Sequence, residues 1–264
     1  MKKPLIIAHR GASALAPENT LAAFARAIED GAEGIEFDVR LAKDGVPVVI
    51  HDADLQRLAN KKGSVSSYTS RELQTFDVGS WFNVQYPQKA DEQFSRETVP
   101  TFVQALKFLE YYEGLIYVEI KCEKAETEAL VRAICENIEK TNLLAQIVLK
   151  SFNLDALVKA HKFIPEARTA ALFSPKILTV IRKRRHILQK AEQCGASEIS
   201  LHYSLATKRL IKRAQMKGLA SVVWTIDEPL WIKRAIDLGI GAIITNNPAN
   251  LLVKKAKIFT NQSK

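Results

Sequence analysis

The sequence predicts an α/β protein whose fold is a (β/α)8 or TIM barrel, with a small insertion subdomain after the second strand. Apolar runs of strand length alternate with helical patterns along the chain, and several helical patterns end at a glycine. The 264 residues are enough for eight such strand–helix units. A doubly wound open sheet is the alternative, but the first strand–helix turn lacks the Gly-x-Gly-x-x-Gly phosphate loop typical of that fold.

The strands and helices follow one another in a regular order. Strands are predicted at 5–8, 34–42, 47–51, 116–121, 146–152, 168–173, 198–203, 221–227 and 242–246. Helical patterns lie between them, in TLAAFARAIEDG, TFVQALKFLEYYEG, AETEALVRAICENIEK, LDALVKAHKFI, TKRLIKRAQMKG and PLWIKRAIDLG. The run at 47–51 follows a tight turn at Lys43-Asp44-Gly45, so we interpret it as an extension of the second strand, which leaves eight units.

Residues 52–97 interrupt this order. The segment has neither a sustained helical period nor strand alternation, and it contains Trp81, Phe82 and Tyr86. We expect a single (β/α)8 domain over 1–264, with 52–97 as an inserted subdomain that helps to wall a pocket. A loop without a function is the alternative.

Composition indicates a globular protein. The chain has 47% hydrophobic and 25% charged residues, and no run approaches the ~18 to 20 apolar residues of a membrane span. Only four apolar residues lie between the first lysines and His9, too few for the core of a signal peptide, so we expect a cytoplasmic protein. The three cysteines match no zinc spacing and fit free thiols in a reducing compartment.

The first strand ends in two cationic, hydrogen-bonding residues, His9 and Arg10. In a barrel, the carboxyl ends of the strands meet at one mouth, where substrates bind. Gly11 then permits a sharp turn, and Asn19 or Thr20 can cap the first helix. The sequence therefore predicts a functional pair at the mouth, with a surface ion-pairing site as the alternative.

The second strand and the strand at 116–121 carry carboxylates that alternate with apolar residues. In GIEFDVR, the period of two directs Glu36 and Asp38 to the barrel interior, and in YVEIK it places Glu119 and Lys121 on one face. Buried carboxylates require a cation between them. Three hard oxygen ligands favour Mg²⁺ or Ca²⁺ over zinc. A buried ion-pair network with Arg10, Arg40 and Lys121 is the alternative.

His51 ends the extension of the second strand and is followed by Asp52. With His9, it forms a pair of histidines beside the predicted metal site. Such a pair suits phosphodiester cleavage, because one histidine removes a proton from the attacking oxygen and the other gives one to the leaving alcohol.

Eight stretches of the chain carry a resemblance. They are AHRGASALAPENT, GIEFDVRLAKDGVPVVIHD, VGSWFN, VPTF, YVEIK, SF, VVWTID and GAIITNNP. In this order, from residue 5 to about 250, they resemble the pattern of the glycerophosphodiester phosphodiesterase family. The resemblance implies a (β/α)8 barrel with an insertion, metal-dependent hydrolysis of glycerophosphodiesters to sn-glycerol 3-phosphate and an alcohol, and one Mg²⁺ or Ca²⁺ as cofactor.

The resemblance also implies a role for each matching residue. The acid/base pair is His9 and His51, the metal ligands are Glu36, Asp38 and Glu119, and the substrate contacts are Arg10, Lys121 and Trp224. By the same resemblance, His9 is the base and His51 the acid. Where the family usually has Trp-Thr-Val-Asn and Thr-Asp-x-Pro, this chain has Asp227 and Asn246, so an acid and an amide have changed places near the leaving-group pocket.

Other functions remain open at this stage. A lysophospholipase D and a phosphatidylinositol phospholipase-like phosphodiesterase are alternatives on the same fold, and an anionic-lipid-binding barrel is the alternative without catalysis. Residues 175–219 contain eleven Lys or Arg against two Glu. We expect a small-molecule glycerophosphodiester substrate, a weak contact of 175–219 with an anionic membrane or a solvated surface there, and no nucleic-acid partner.

Overall fold

The computed structural model of the chain describes residues 3–175 and 185–260. Its centre is a parallel barrel of eight strands, and a ninth strand, β3, pairs antiparallel with β2. The strands are β1 Leu5–His9, β2 Gly34–Leu41, β3 Pro47–Val49, β4 Leu115–Ile120, β5 Ile147–Ser151, β6 Arg168–Phe173, β7 Glu198–His202, β8 Ala220–Trp224 and β9 Ala242–Thr245.

Closure of the barrel depends on β1, which pairs with strands on both of its sides. Ile7 lies opposite Gly34 of β2 and opposite Ile244 of β9, so the sheet has no free edge at this point. The predicted (β/α)8 barrel is confirmed. As expected, β3 is not one of its eight parallel strands, but it turns back antiparallel beside β2 and does not extend it. The strand predicted at 221–227 ends earlier, at Trp224.

Helices surround the barrel, and six of those in the described residues lie where helical patterns are predicted. They are α1 Leu21–Glu29, α2 Gln56–Ala59, α3 Ser70–Leu73, α4 Ser80–Gln85, α5 Phe102–Phe108, α6 Thr127–Ile138, α7 Leu154–Phe163, α8 Arg185–Gln193, α9 Lys208–Met216, α10 Trp231–Leu238 and α11 Pro248–Thr260. Thr20 caps α1 by accepting from the Ala23 N–H, as predicted for a threonine before the apolar period.

The core has two layers, because alternate residues of each strand face opposite sides. Phe37 of β2 points outward and packs between Phe24 of α1 and Phe102 of α5, at ring-centroid distances of 5.3 and 6.2 Å. Inside the barrel, Ile7 and Tyr117 belong to a small apolar cluster. This cluster fills the lower part of the barrel and leaves the upper part to polar side chains.

Residues 52–97 contain the three short helices α2 to α4 and several 3-10 turns. Their apolar side chains, among them Leu55, Leu73 and Val78, form a cluster of their own with Val48 and Ile50 of the β3 region. Each helix has only four to six residues. Such lengths are too short for a helical period to show in the sequence.

The basic segment 175–219 is described in part, since 176–184 lie outside the described residues. Among the described residues, no helix is both long enough and apolar enough to cross a membrane.

Candidate active site

Three carboxylates lie together inside the upper end of the barrel. Asp38 of β2 is directly opposite Glu119 of β4 in the strand register, and Glu36 is two residues before Asp38 on the same face. Each side chain offers one oxygen, and these oxygens lie within 4.8 Å of one another. All three residues are buried. The structure therefore brings together the three predicted metal ligands.

Three cations of the chain itself balance these carboxylates. Lys121 Nζ lies 2.6 Å from Glu119 and 3.3 Å from Asp38, and Arg10 Nε lies 3.2 Å from Asp38. Burial acts to raise the pKa of Asp38, but the charges of Arg10 and Lys121 outweigh burial and hold it well below the ordinary value. Asp38 is therefore ionised at neutral pH.

The third cation, Lys150 of β5, was missed in the sequence. Its Nζ lies 2.8 Å from Glu36 and 3.3 Å from Glu119, and its side chain is 2% exposed. Burial acts to raise the pKa of Glu36, but Lys150 lowers it below its ordinary value. The network that was considered as the alternative to a metal is thus partly present, with Lys150 in place of Arg40. Arg40 donates from Nε to the His51 carbonyl oxygen.

His9 is the last residue of β1 and lies at the mouth. Its Nδ1 is 2.7 Å from Asn246 Oδ1, and its Nε2 is 3.9 Å from Glu36 Oε2. Burial lowers the pKa of His9 below its ordinary value, although the charge of Glu36 acts in the opposite direction. His9 is therefore neutral near pH 7, which is the form that can accept a proton.

The turn after His9 requires glycine. Gly11 has φ of +79°, and a Cβ at this position would lie 2.6 Å from the Ala23 backbone. The close approach of this turn to α1 brings the Arg10 N–H to Glu36, to which it donates at 3.2 Å.

His51 follows the end of β3 by two residues and is held by Asp52, whose Oδ1 lies 2.7 Å from His51 Nδ1. The hydrogen bond from His51, followed by that from Arg57 of α2, lowers the pKa of Asp52 well below its ordinary value. The charge of His51 also contributes to the lowered pKa of Asp38. The structure thus brings His51 to the same carboxylate cluster as His9.

Trp224, the last residue of β8, forms an aromatic wall at the mouth. Its ring meets the rings of Phe152 and His202 edge-on, at centroid distances of 5.7 and 5.5 Å. Its Nε1 is buried, and no described atom accepts a hydrogen bond from it. Phe152 lies in the stretch SF and His202 lies at the end of a predicted strand, but the local sequence predicts no role for either, because their contacts with Trp224 join different strands.

A cleft of about 430 Å³ lies beside His9 and Arg10. One side is formed by Asp227 and Asn246, and the other by Trp81, Tyr86 and Lys89 of the segment 52–97. The two positions at which an acid and an amide have changed places therefore line the cleft, and Asn246 also contacts His9.

Residues 9–250 match the model of the Glycerophosphoryl diester phosphodiesterase family, which covers most of the chain. The chain belongs to this family. A glycerophosphodiester phosphodiesterase of Caldanaerobacter subterraneus subsp. tengcongensis is 32% identical over 252 residues, which are 95% of this chain and 97% of that protein. A second one, from Bacillus subtilis, is 29% identical over 92% of this chain and 84% of that protein.

Solved structures of this family share the fold. A phosphodiesterase of Oleispira antarctica, in complex with the product sn-glycerol-3-phosphate, has a TM-score of 0.83 and 26% identity, with 96% of each chain covered. The similarity to these relatives thus extends over the whole barrel and is not limited to the motifs at its mouth.

Glycerophosphoryl diester phosphodiesterases form a metal-dependent family, and the carboxylate cluster fits a divalent cation. The donor set consists of oxygen atoms alone, as Mg²⁺ and Ca²⁺ require. Glu119 Oε1 is buried and accepts no hydrogen bond from a described residue. Its close neighbour is Lys121 Nζ, with which it forms an ion pair at 2.6 Å. The Lys121 side chain is 16% exposed, so this cation lies on the open side of the cluster, whereas Lys150 is enclosed.

Proposed function

We propose that the chain hydrolyses glycerophosphodiesters to sn-glycerol 3-phosphate and an alcohol, with one divalent cation held by Glu36, Asp38 and Glu119. The proximity of three buried carboxylates to two histidines at one barrel mouth carries the proposal. The cation, Mg²⁺ or Ca²⁺, supplies Lewis-acid stabilisation of charge on the phosphoryl oxygens when bound.

Phosphate recognition is assigned to Arg10 and Lys121. Their side chains are 17% and 16% exposed, and both reach the carboxylate cluster from the mouth. A phosphodiester at the mouth can thus share these two cations with Asp38 and Glu119. Trp224 packs its ring against the glycerol moiety.

Proton transfer is assigned to the two histidines. His9 is neutral and directs Nε2 toward the carboxylate cluster, so it accepts the proton of the attacking oxygen. His51 is oriented through Nδ1 by Asp52, which leaves its Nε2 to give a proton to the leaving alcohol.

The test is an assay of glycerol 3-phosphate release from a panel of glycerophosphodiesters that includes a lysophospholipid, with and without a chelator. We expect the chelator to abolish turnover and Mg²⁺ or Ca²⁺ to restore it. His9→Ala and His51→Ala should each lower kcat by ~10² to 10⁴.

His186→Ala, which removes an exposed histidine of α8, is the matched control and should keep full activity. An activated leaving group should rescue His51→Ala more than His9→Ala, because only the acid becomes dispensable. Undiminished turnover in excess chelator would rule out the metal assignment, and full activity of either mouth variant would rule out its role in proton transfer.

The proposal includes a cytoplasmic location and a weak contact with anionic membranes through 175–219. Within the described part of this segment, α9 exposes Lys208, Arg209, Lys212 and Arg213 on one side. Substrate released by phospholipid breakdown would then reach the enzyme close to its source. The inserted subdomain at 52–97 belongs to the same proposal and forms one wall of the substrate cleft.

A further inference from the structure

Asp227 follows β8 and Asn246 follows β9, and their side chains meet beside His9. The Asn246 backbone N–H and the Thr245 hydroxyl both donate to Asp227 Oδ1, at 2.7 and 2.8 Å. The side-chain amide of Asn246 donates from Nδ2 to Asp227 Oδ2 at 2.8 Å. Because an ionised carboxylate only accepts, it fixes which way round this amide lies.

The orientation of the amide in turn fixes the proton of His9. Asn246 Oδ1 accepts from Ser13 Oγ at 3.0 Å and lies 2.7 Å from His9 Nδ1. A carbonyl oxygen cannot donate, so Nδ1 carries a proton, and in the neutral form of the ring Nε2 carries the free electron pair. Nε2 is the ring nitrogen that faces Glu36.

We propose that Asp227 and Asn246 are a positioning pair, which holds His9 as the Nδ1–H tautomer and so presents Nε2 to the attacking oxygen. The effect of the pair on the rate rests on the proposed function, whereas the tautomer can be observed without it. The pair needs one carboxylate and one amide at positions 227 and 246, and either group can occupy either position. A carboxylate at 246 would accept from His9 directly, and an amide at 227 would donate to that carboxylate.

The isosteric substitution Asp227→Asn tests the pair. The new amide keeps its oxygen where the Thr245 hydroxyl and the Asn246 N–H donate, so its NH₂ group faces the NH₂ group of Asn246. Two NH₂ groups cannot bond to each other, so the Asn246 amide rotates and turns its NH₂ toward His9 Nδ1. We expect the proton to move to Nε2 and kcat to fall roughly 10- to 100-fold.

The double substitution Asp227→Asn with Asn246→Asp exchanges the two groups and should reverse this loss. The new carboxylate accepts from His9 Nδ1, so we expect the Nδ1–H tautomer and most of kcat to return. A purely structural role for either residue would not give such a recovery. Asp237→Asn, an exposed substitution in α10, is the matched control and should change neither the tautomer nor kcat.

The tautomer is measured by ¹⁵N-resolved NMR of the histidine ring nitrogens in the full-length chain with Mg²⁺, with His9 assigned from its loss in His9→Gln. An Nε2–H signature in the unchanged protein overturns the proposal, whatever the variants do. The proposal is also wrong if Asp227→Asn keeps the Nδ1–H form, or if the exchange variant does not regain it. If the tautomers follow this pattern but no glycerophosphodiester is hydrolysed, the positioning pair stands and the proposed function fails.

Discussion

Lys150 lies inside the barrel with 2% of its side chain exposed, and it contacts two of the three carboxylates. The other two cations, Arg10 and Lys121, approach from the mouth and are partly exposed. Arg10 and Lys121 face the mouth, where solvent also reaches their charges, whereas Lys150 is enclosed by the barrel. The balance of charge within the cluster therefore depends on this side chain more than on any other described cation.

Replacement of Lys150 with methionine removes the charge and keeps a side chain of similar length. Loss of one partner of a buried ion pair typically lowers stability by 3–5 kcal/mol, so we expect Lys150→Met to lower the free energy of unfolding by about this amount in chelator. Mg²⁺ should stabilise this variant more than the unchanged protein, because it supplies the missing positive charge. Urea unfolding with and without Mg²⁺ measures both effects.

Lys107→Met, an exposed substitution in α5, is the control and should change the free energy of unfolding by less than about 0.5 kcal/mol. A loss below about 1 kcal/mol for Lys150→Met would mean that the carboxylates are compensated in another way.

The cluster could be predicted in part from single residues. Glu36, Asp38 and Glu119 stand out because a carboxylate on a buried strand breaks an apolar pattern at a period of two. Lys150 breaks the apolar run QIVLKSF in the same way, but its partner Glu36 is 114 residues distant in the sequence. The position of β5 within the barrel, which decides that contact, follows from the fold and not from the local pattern.

At the scale of elements, α2 joins the two loops that carry the histidines. Arg57 of this helix donates to Asp52, which holds His51, and to Glu18 in the loop after β1. Glu18 in turn accepts from Arg10 at 2.7 Å. Burial acts to raise the pKa of Glu18, but the hydrogen bond from Arg57 and the charge of Arg10 hold it below its ordinary value. The guanidinium of Arg57 therefore ties the inserted segment to both histidine loops.

Substitution of Arg57 by lysine keeps the charge but removes the planar fork that reaches both carboxylates. We expect kcat to fall roughly tenfold, because Asp52 loses a fixed partner and His51 becomes less well oriented, while the free energy of unfolding changes little. Steady-state kinetics and urea unfolding measure the two effects. Arg71→Lys, in α3 of the same segment, makes the same change at an exposed position and should keep full activity. Equal kinetics for the two variants would contradict a positioning role for Arg57.

The elements differ in how well the sequence predicts them. The barrel strands are each long enough to show their apolar runs, and most of their predicted ends agree with the structure within two residues. The run SVVWTID predicts a strand to Asp227, because Thr225 and Ile226 also favour strands, but the strand ends at Trp224. Helices α2 to α4 escaped prediction, because their packing on Val48 and Ile50 stabilises them and their local pattern does not.

At the scale of the whole molecule, positive charge is concentrated in one segment of the sequence. The chain has a formal net charge of +9, and 175–219 alone holds an excess of nine positive charges, so the remainder is neutral. Helix α9 presents four of these charges to solvent. Attraction between such a surface and an anionic membrane extends over about one Debye length, ~8 to 10 Å, and weakens with salt.

Removal of the exposed charges of α9 tests this surface. We expect co-sedimentation with phosphatidylserine-containing vesicles at low salt, none with neutral vesicles, and at least about a tenfold loss of binding after replacement of four basic residues, since each contributes ~1 kcal/mol near a membrane. The replaced residues are Lys208, Arg209, Lys212 and Arg213, each changed to Gln. The control variant carries Gln at Lys233, Arg234, Lys254 and Lys257. Equal binding of the two variants would show that α9 is an ordinary solvated surface.

The seam at which the barrel closes has a consequence for the time at which this protein becomes active. β1 and β9 pair as far as Ala8 and Thr245, and the next residues, His9 and Asn246, form their hydrogen bond across 237 positions of sequence. A ribosome that adds ~5–20 residues per second needs on the order of 10 to 50 s to make the partner of His9 after His9 itself. A nascent chain, or one cut before β9, holds this histidine without its partner. We therefore expect the chain to become able to hydrolyse its substrate only after the last strand and Asn246 have been made.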